Sequence, residues 1–570
     1  MKKGIIIFIT CIVAASILSS CRLIGINMNR KTPARGNVYP NFSREDSLQG
    51  TLTPLRSCFD VQHYTVTITI NPDKKYIQGY VDINFDVVDS TSKIQIDLYK
   101  NMDMDSIIYK NTPLSFSREY GAVYVDFKEE LTPETSHTIR CYYQGKPTKA
   151  PKPPWKGGFV WEKSENKKPW IGVACELAGA SLWWPCKDHI SDEPDEGVIV
   201  DVTVPQGLQV ISNGVLTKQT QFEQCERFIW ETNYPINNYN VTLYIGDFEH
   251  FSTEYTGIDT TFTIDYYILP EHREKAEKVF SQTPDVLKTY EELFGPYPWP
   301  KEGFKLIGSP YAGMEHQTAI AYGTDFKKNT HHLGFDYIIV HEAAHEWWGN
   351  AVSAADYADI FLHEGFATYA EALYVESMYG AEAAQDYLGF YGILIKNKNP
   401  IVSPRGVNFW NFRDSDPYVK GAWVLHGFRN LIGDEQFFDL LPDLYTDFYL
   451  QNITVHDFIT YVNEYTQTDY SWYFNQYLFN REVPELEHQF IETDSEVQLY
   501  VKWTETEQDF ALPIRLIVEL DNGVEYPITV TPTTTTQKFV LESINTVSFD
   551  LYQAYYRLDE NDELFNEYHK

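Results

Sequence analysis

The sequence predicts a multidomain α+β protein, β-rich at both ends and helical in between, because its hydropathy period changes twice along the chain. After a polar stretch, Val61 to Ile70 alternates apolar and polar positions and is rich in branched and aromatic residues, as half-buried strands are. From Glu271 the period lengthens, and helical patterns dominate until about Phe479. Beyond Pro484 the alternation returns.

Within the first region, Tyr76 to Val88, Lys93 to Leu98, Gly197 to Val204 and Asn240 to Ile245 continue the strand pattern, so residues 56–255 are expected to form a mainly β domain. Glu271 to Phe294 reads as one or two helices at the start of a helical domain spanning 256–485. Val497 to Trp503, Pro513 to Leu520 and Glu525 to Val530 read as strands, with Asn522-Gly523 as a hairpin turn, and predict a small β-sandwich over 486–570. A length of 570 residues agrees, since it corresponds to roughly three or four domains.

Hydrophobic residues make up 43% of the chain and aromatic residues 15%, which excludes a disordered or low-complexity protein. The formal charge of −34 argues against a nucleic-acid partner, whose phosphates require a basic surface. Residues 1–20 have the form of an export signal, with Lys2 and Lys3 ahead of an apolar run from Gly4 to Leu18 that is short for a membrane span. Leu18-Ser19-Ser20-Cys21 resembles a bacterial lipobox, which implies a lipid anchor at Cys21 and an exported protein held at a bacterial membrane. Residues 21–55 then read as a flexible tether reaching on the order of 30 Å. Five cysteines follow (Cys58, Cys141, Cys175, Cys186 and Cys225), and a Cys175–Cys186 bridge is left open.

The chemistry concentrates in His341-Glu342-Ala343-Ala344-His345, followed after eighteen residues by Glu364. Imidazoles four residues apart on a helix lie almost one above the other and can reach one metal, and a Glu from a second helix can complete three protein ligands. That set leaves a coordination position open and points to one catalytic zinc ion. Glu342, about 100° round the helix from His341, cannot share the ligand shell but can touch a water beside it, which makes it the candidate general base. Apolar residues recur at helical spacing from Phe335 to Asn350 and from Ile360 to Met378, with Asp359 as a candidate N-cap and Gly380 placed to end the second helix. On its own the pentapeptide would also describe two imidazoles on a solvated helix face; Glu364 on a second apolar helix argues against that.

Three further segments carry a family likeness. His345-Glu346-Trp347-Trp348-Gly349-Asn350, Leu293-Phe294-Gly295-Pro296-Tyr297-Pro298-Trp299-Pro300 and Ala312-Gly313-Met314-Glu315-His316 resemble the zinc aminopeptidases of the aminopeptidase N and leukotriene hydrolase type, over about Cys58 to the end. The resemblance implies an N-terminal β saddle, a thermolysin-like catalytic domain and a β-sandwich, with peptide substrates. It places Gly313, Met314 and Glu315 at the substrate, with Glu315 and Glu176 holding the free α-amine, and Tyr418 stabilising the tetrahedral intermediate.

Some positions depart from the family pattern: His316 and His363 stand where many relatives have Asn, and no long helical domain follows the sandwich, so a more open cleft taking longer peptides is expected. A zinc endopeptidase would share the metal residues but have no use for Glu315. The acidic residue that the epoxide-hydrolysing type carries eight positions before its Tyr is Trp410 here. A non-catalytic peptide-binding lipoprotein would have no reason to keep the ligands, base and Tyr together. Oligomeric state is left open.

Overall fold

A computed structural model describes residues 39–408, 415–493, 496–520, 522–542 and 544–570. The expected signal, Cys21, the first part of the tether and Trp410 lie outside the described residues.

The described part of the expected tether is not loose. Ser43 and Asp46 form a reciprocal capping box that starts helix α1 (Arg44–Gly50), with Asp46 N–H on Ser43 Oγ at 3.1 Å and Ser43 N–H on Asp46 Oδ2 at 2.8 Å. Leu48 is buried, and Arg56 is fully buried in an ion pair with Asp97 at 2.6 Å. Pro, Gly and polar residues made this stretch look like a linker, although Ser43-x-x-Asp46 is itself a helix-start signal.

Strands β1 (Phe59–Asn71) and β2 (Tyr76–Val87) form the middle of a ten-stranded sheet. They pair antiparallel to each other, and β1 also pairs in parallel with Val198–Pro205. A smaller sheet joins Gln209–Ser212, Leu243–Gly246, Pro169–Ala174 and Gly158–Lys163, and the loop leaving Ala174 carries Glu176. The boundary expected at residue 255 falls inside a hairpin. Glu249–Thr256 pairs with Thr261–Ile268 and belongs to the next sheet, which continues with Phe304–Ser309 and Ile320–Gly323. Those last two strands are buried at every position, so they carry no alternation for a sequence pattern to reveal.

Helix α2 (Tyr337–Ala344) carries the first histidine and starts at Asp336, whose carboxylate accepts Ile338 N–H at 3.1 Å. It ends earlier than its apolar pattern predicts: the chain widens, with Asn350 N–H bonding His345 O at 2.9 Å and Val352 N–H bonding Trp347 O at 3.0 Å, and turns at Gly349, φ 130°. Helix α3 (Phe361–Tyr379) carries Glu364 and ends at Gly380, φ 92°, as expected. Asp359 does not cap it; its carboxylate is held by Arg405 and by Val455 N–H at 2.9 Å.

Helix α4 (Ala381–Leu394) follows, and α5 (Asp416–Ile432) begins one residue before Pro417. Helices α3 and α5 meet main chain to main chain at Gly365 and Gly421, where a Cβ on Gly421 would lie 2.9 Å from Gly365 Cα. The C-terminal strands form a four-stranded and a three-stranded sheet, and their apolar faces join the same core as the helices, through contacts such as Trp503 on Phe510 and Trp472 on Phe510.

All five cysteines of the described residues are free thiols, so Cys175 and Cys186 are not bridged. Among the described residues no helix is long and apolar enough to cross a membrane. The tight crossing of α3 and α5 generates a prediction: Gly421→Ala is expected to destabilise the fold by about 1–3 kcal/mol through overpacking against backbone, measured by heat or denaturant unfolding.

Candidate active site

Helix α2 and the first turn of α3 bring His341, His345 and Glu364 together. The two Nε2 atoms are 3.2 Å apart, and Glu364 Oε2 is 3.3 Å from His341 Nε2 and 3.6 Å from His345 Nε2. The far nitrogens are already engaged: His341 Nδ1 faces Glu371 Oε1 at 2.7 Å, and His345 Nδ1 faces Trp348 O at 2.9 Å. With each Nδ1–H donating outward, both Nε2 lone pairs point at the same spot. Glu364 Oε2, buried and without a hydrogen-bond partner, points there too. Ligands about 2.0–2.2 Å from one tetrahedral ion stand about 3.3–3.6 Å apart, so this donor set fits zinc.

The carboxylates and imidazoles of this cluster act strongly on one another. Burial works against ionisation of Glu364, yet the two imidazoles hold it down at about 2, and Glu364 and Glu371 pull His341 well above its usual range despite its burial.

Glu342 lies on the next face of α2, almost fully buried. Burial pushes its carboxyl up to about 8, with His341 and His345 opposing and Glu315 and Glu364 adding to the rise. A divalent ion beside it would favour the carboxylate, the form a base needs. Gly313 packs directly over this group; a Cβ there would overlap Glu342 Oε1 and crowd Ile338 Cγ2 at 2.8 Å.

Glu315 follows on the same segment. Its carboxylate, that of Glu342 and the imidazole of His345 offer ligand atoms within 4.8 Å of one another. Tyr239 OH donates to Glu315 Oε1 at 3.2 Å, and Asn350 Nδ2 donates to Glu315 O at 2.9 Å. Met314, also buried, is bound to the sheet edge: its N–H bonds Ala321 O at 3.3 Å and its O accepts Ala321 N–H at 2.9 Å. Its backbone polar groups are therefore used within the chain.

Glu176 enters the same pocket from the β domain. It is buried, its Oε1 has no hydrogen-bond partner, and burial together with Glu315, Glu364 and Glu342 pushes its carboxyl well up. Tyr418, in the first turn of α5, stacks on His341 with ring centroids 6.1 Å apart, and burial and the Glu364 charge keep its phenol protonated. His341, His345, Glu364, Glu342, Glu315, Glu176 and Tyr418 thus lie in one buried cluster, and Gly313 packs against Glu342; Met314 is buried on the same segment, with its main chain held by Ala321.

Two matches to known families decide the affiliation. The model of the peptidase M1 N-terminal domain matches residues 60–239, and that of the peptidase family M1 domain matches residues 279–477. The chain belongs to peptidase family M1.

Relatives of this M1 chain include leucine aminopeptidase 2 of Emericella nidulans, 24% identical over 329 residues, covering 54% of this chain and 51% of that protein. Aminopeptidase B of Rattus norvegicus is 25% identical over 327 residues, covering 54% and 48% respectively. The chain spans about half the length of the curated relatives it matches. An M1 zinc metallopeptidase from Deinococcus radiodurans has the same fold, with a TM-score of 0.61 at 24% identity over 73% of this chain and 93% of that one. A variant of the same organism's M1 enzyme bound to a Tyr-Ser-Ala substrate matches with a TM-score of 0.61 at 23% identity, over 74% and 94%.

Sequence reasoning missed the residues that support this M1 site. Glu371 takes His341 Nδ1 and also accepts the hydroxyls of Tyr387 and Tyr391, the latter at 2.6 Å. Its signal was present, since it lies seven residues after Glu364 and therefore on the same face of α3. Asn350, which ties Glu315 to the zinc motif, also accepts Asn240 Nδ2 of the β domain at 2.7 Å. The two departures His316 and His363 are both buried and each has one ring nitrogen engaged within the chain, His316 Nδ1 with Tyr244 OH at 2.7 Å and His363 Nε2 accepting Ala354 N–H at 2.8 Å. Glu371→Gln is expected to weaken zinc affinity about 10–100-fold, because His341 loses the partner that orients it; titration against a competing chelator measures it.

Proposed function

We propose that this chain is a zinc-dependent aminopeptidase that hydrolyses the first peptide bond of peptides with a free α-amine. The observation that carries the reading is the placement of Glu315 directly beside Glu342 and His345, within 4.8 Å. A carboxylate fixed so close to the candidate base can pair with a substrate ammonium only when the bond presented to that base is the first one. An endopeptidase has no charged group to satisfy Glu315 and Glu176 in this way.

In this reading His341, His345 and Glu364 hold zinc, which supplies Lewis acidity to the scissile carbonyl and to the attacking water. Glu342 takes a proton as the water oxygen bonds to the carbonyl carbon, and passes it to the leaving nitrogen as the C–N bond breaks. Tyr418 donates a hydrogen bond to the oxyanion as it develops. Glu315 and Glu176 bind the ammonium and fix the register. Export and lipid anchorage at Cys21 belong to the same proposal and rest on residues 1–21; they would hold the activity at a bacterial membrane, on its periplasmic face or at the cell surface.

Two outcomes are expected. Glu342→Gln should keep about one zinc per chain by elemental analysis and lower kcat by on the order of 10²–10⁴-fold; full turnover in a clean preparation would remove Glu342 from its role. Amino acid should be released from free peptides and not from their N-acetylated forms, and Glu315→Ala should lower kcat/KM on free peptides by about tenfold or more. Cleavage of the acetylated panel would instead support an endopeptidase, and zinc binding with no cleavage a binding protein.

A further inference from the structure

Glu176 stands on a short loop, and its buried Oε1 has no partner among the described residues, so its position depends on what holds the loop's main chain. Gly179 N–H closes the turn on Cys175 O at 2.7 Å. Asp188 takes Ala180 N–H at 3.1 Å and Ser181 N–H at 3.0 Å, and Gly179, φ 82°, leaves the room this carboxylate needs. Tyr357 OH donates to Glu176 O from the catalytic domain. Ala178 O accepts two hydrogen bonds of 2.6 Å, one from Tyr99 OH and one from Gln49 Nε2.

Gln49 belongs to α1, and that helix is fastened to both halves of the molecule. Arg56 donates to Gln49 O at 2.8 Å and Thr51 O at 3.1 Å while paired with Asp97, whose Oδ2 also accepts Asp188 N–H at 3.2 Å. On the other side, Thr51 Oγ1 donates to Gly406 O at 2.7 Å and Asn408 N–H to Asp46 O at 3.1 Å. Gly406 N–H in turn bonds Asp356 Oδ2 at 3.0 Å, in the turn that bears Tyr357.

We propose that this N-terminal strap is a working part of the amine-binding site, with Gln49 as a positioning residue that sets the height of Glu176 through Ala178 O. The inference rests on the aminopeptidase reading above and adds to it a segment that lies outside both family matches, which cover residues 60–239 and 279–477. Gln49 acts by its hydrogen bond and not by close packing, because its side chain borders a cavity of about 450 Å³ lined also by Leu48, Tyr99, Lys100, Ala122 and Ser181. A leucine at this position has room, so Gln49→Leu removes the donor without overpacking.

The test is calorimetric binding to the zinc-loaded full chain. Alanine, leucine and arginine hydroxamates, which carry an α-amine, are compared with acetohydroxamate and benzohydroxamate, which present the same chelating group without one. The parent is expected to favour the amino-acid hydroxamates. In Gln49→Leu those should weaken about tenfold while the amine-free probes change less than about twofold, and in a Glu176→Gln background Gln49→Leu should add no further loss. Equal weakening of both probe classes would mean a merely structural role and overturn the proposal. Unchanged discrimination in Gln49→Leu overturns it as well while leaving the aminopeptidase reading intact. A parent that does not distinguish the two probe classes would remove the amine site itself, and the strap's role with it.

Discussion

Four carboxylates and two imidazoles share one buried pocket, and much of the surrounding architecture exists to keep them there. Burying a carboxylate without a compensating charge is strongly unfavourable, and here Glu176, Glu315, Glu342 and Glu364 come from four separate points of the chain. Glu364 remains ionised only because both imidazoles face it, whereas Glu176 and Glu342 are driven towards their neutral forms. Such a cluster is relieved by positive charge: zinc fits between the histidines and Glu364, and in the proposed reaction a substrate ammonium would meet Glu315 and Glu176.

The fold meets this demand by distributing the task. The ligands stand on packed helices, with Glu371 and Trp348 O fixing the imidazole tautomers. Glu315 hangs from a sheet edge through Met314 and Ala321, and Asn350 ties it back to the zinc motif. Of the four carboxylates only Glu176 arrives from the β domain, which also sends Tyr239 OH to Glu315. The pocket therefore forms when the two large domains dock, and Asn240 on Asn350 and Tyr357 on Glu176 O are contacts that cross that junction.

The centre of this site was legible because helical periodicity places His341, His345 and Glu364 without any knowledge of tertiary structure. What escaped the sequence depends on contacts distant along the chain. The zinc-motif helix ends early because Gly349 turns and Asn350 is drawn to Glu315, a partner thirty-five residues away. Phe304–Ser309 is buried on both faces and so has no period to read. Residues 44–55 look like a linker by composition, and they are held by Arg56, which pairs with Asp97 and bonds Gln49 O and Thr51 O, by Thr51 Oγ1 on Gly406 O, and by Asn408 N–H on Asp46 O. The roles of Glu315, Glu176 and Tyr418 came from family likeness; spacing alone would have left them ordinary acidic and aromatic residues.

The crossing of Gly365 and Gly421 divides the pocket into parts of unequal evolvability. Glu364 and Tyr418 each lie within three residues of that contact, so their separation is fixed by two backbones touching and does not depend on the size of neighbouring side chains. Mutations can accumulate in the apolar core around α3 and α5, raising or lowering stability, without retuning the chemistry. The amine recognition proposed for Glu176 has no such insulation, since its loop is held by a few side-chain hydrogen bonds, from Gln49 and Tyr99 to Ala178 O and from Tyr357 to Glu176 O. If the proposed activity holds, substrate preference can drift at the β-domain wall while the separation of Glu364 and Tyr418 stays fixed by the backbone contact.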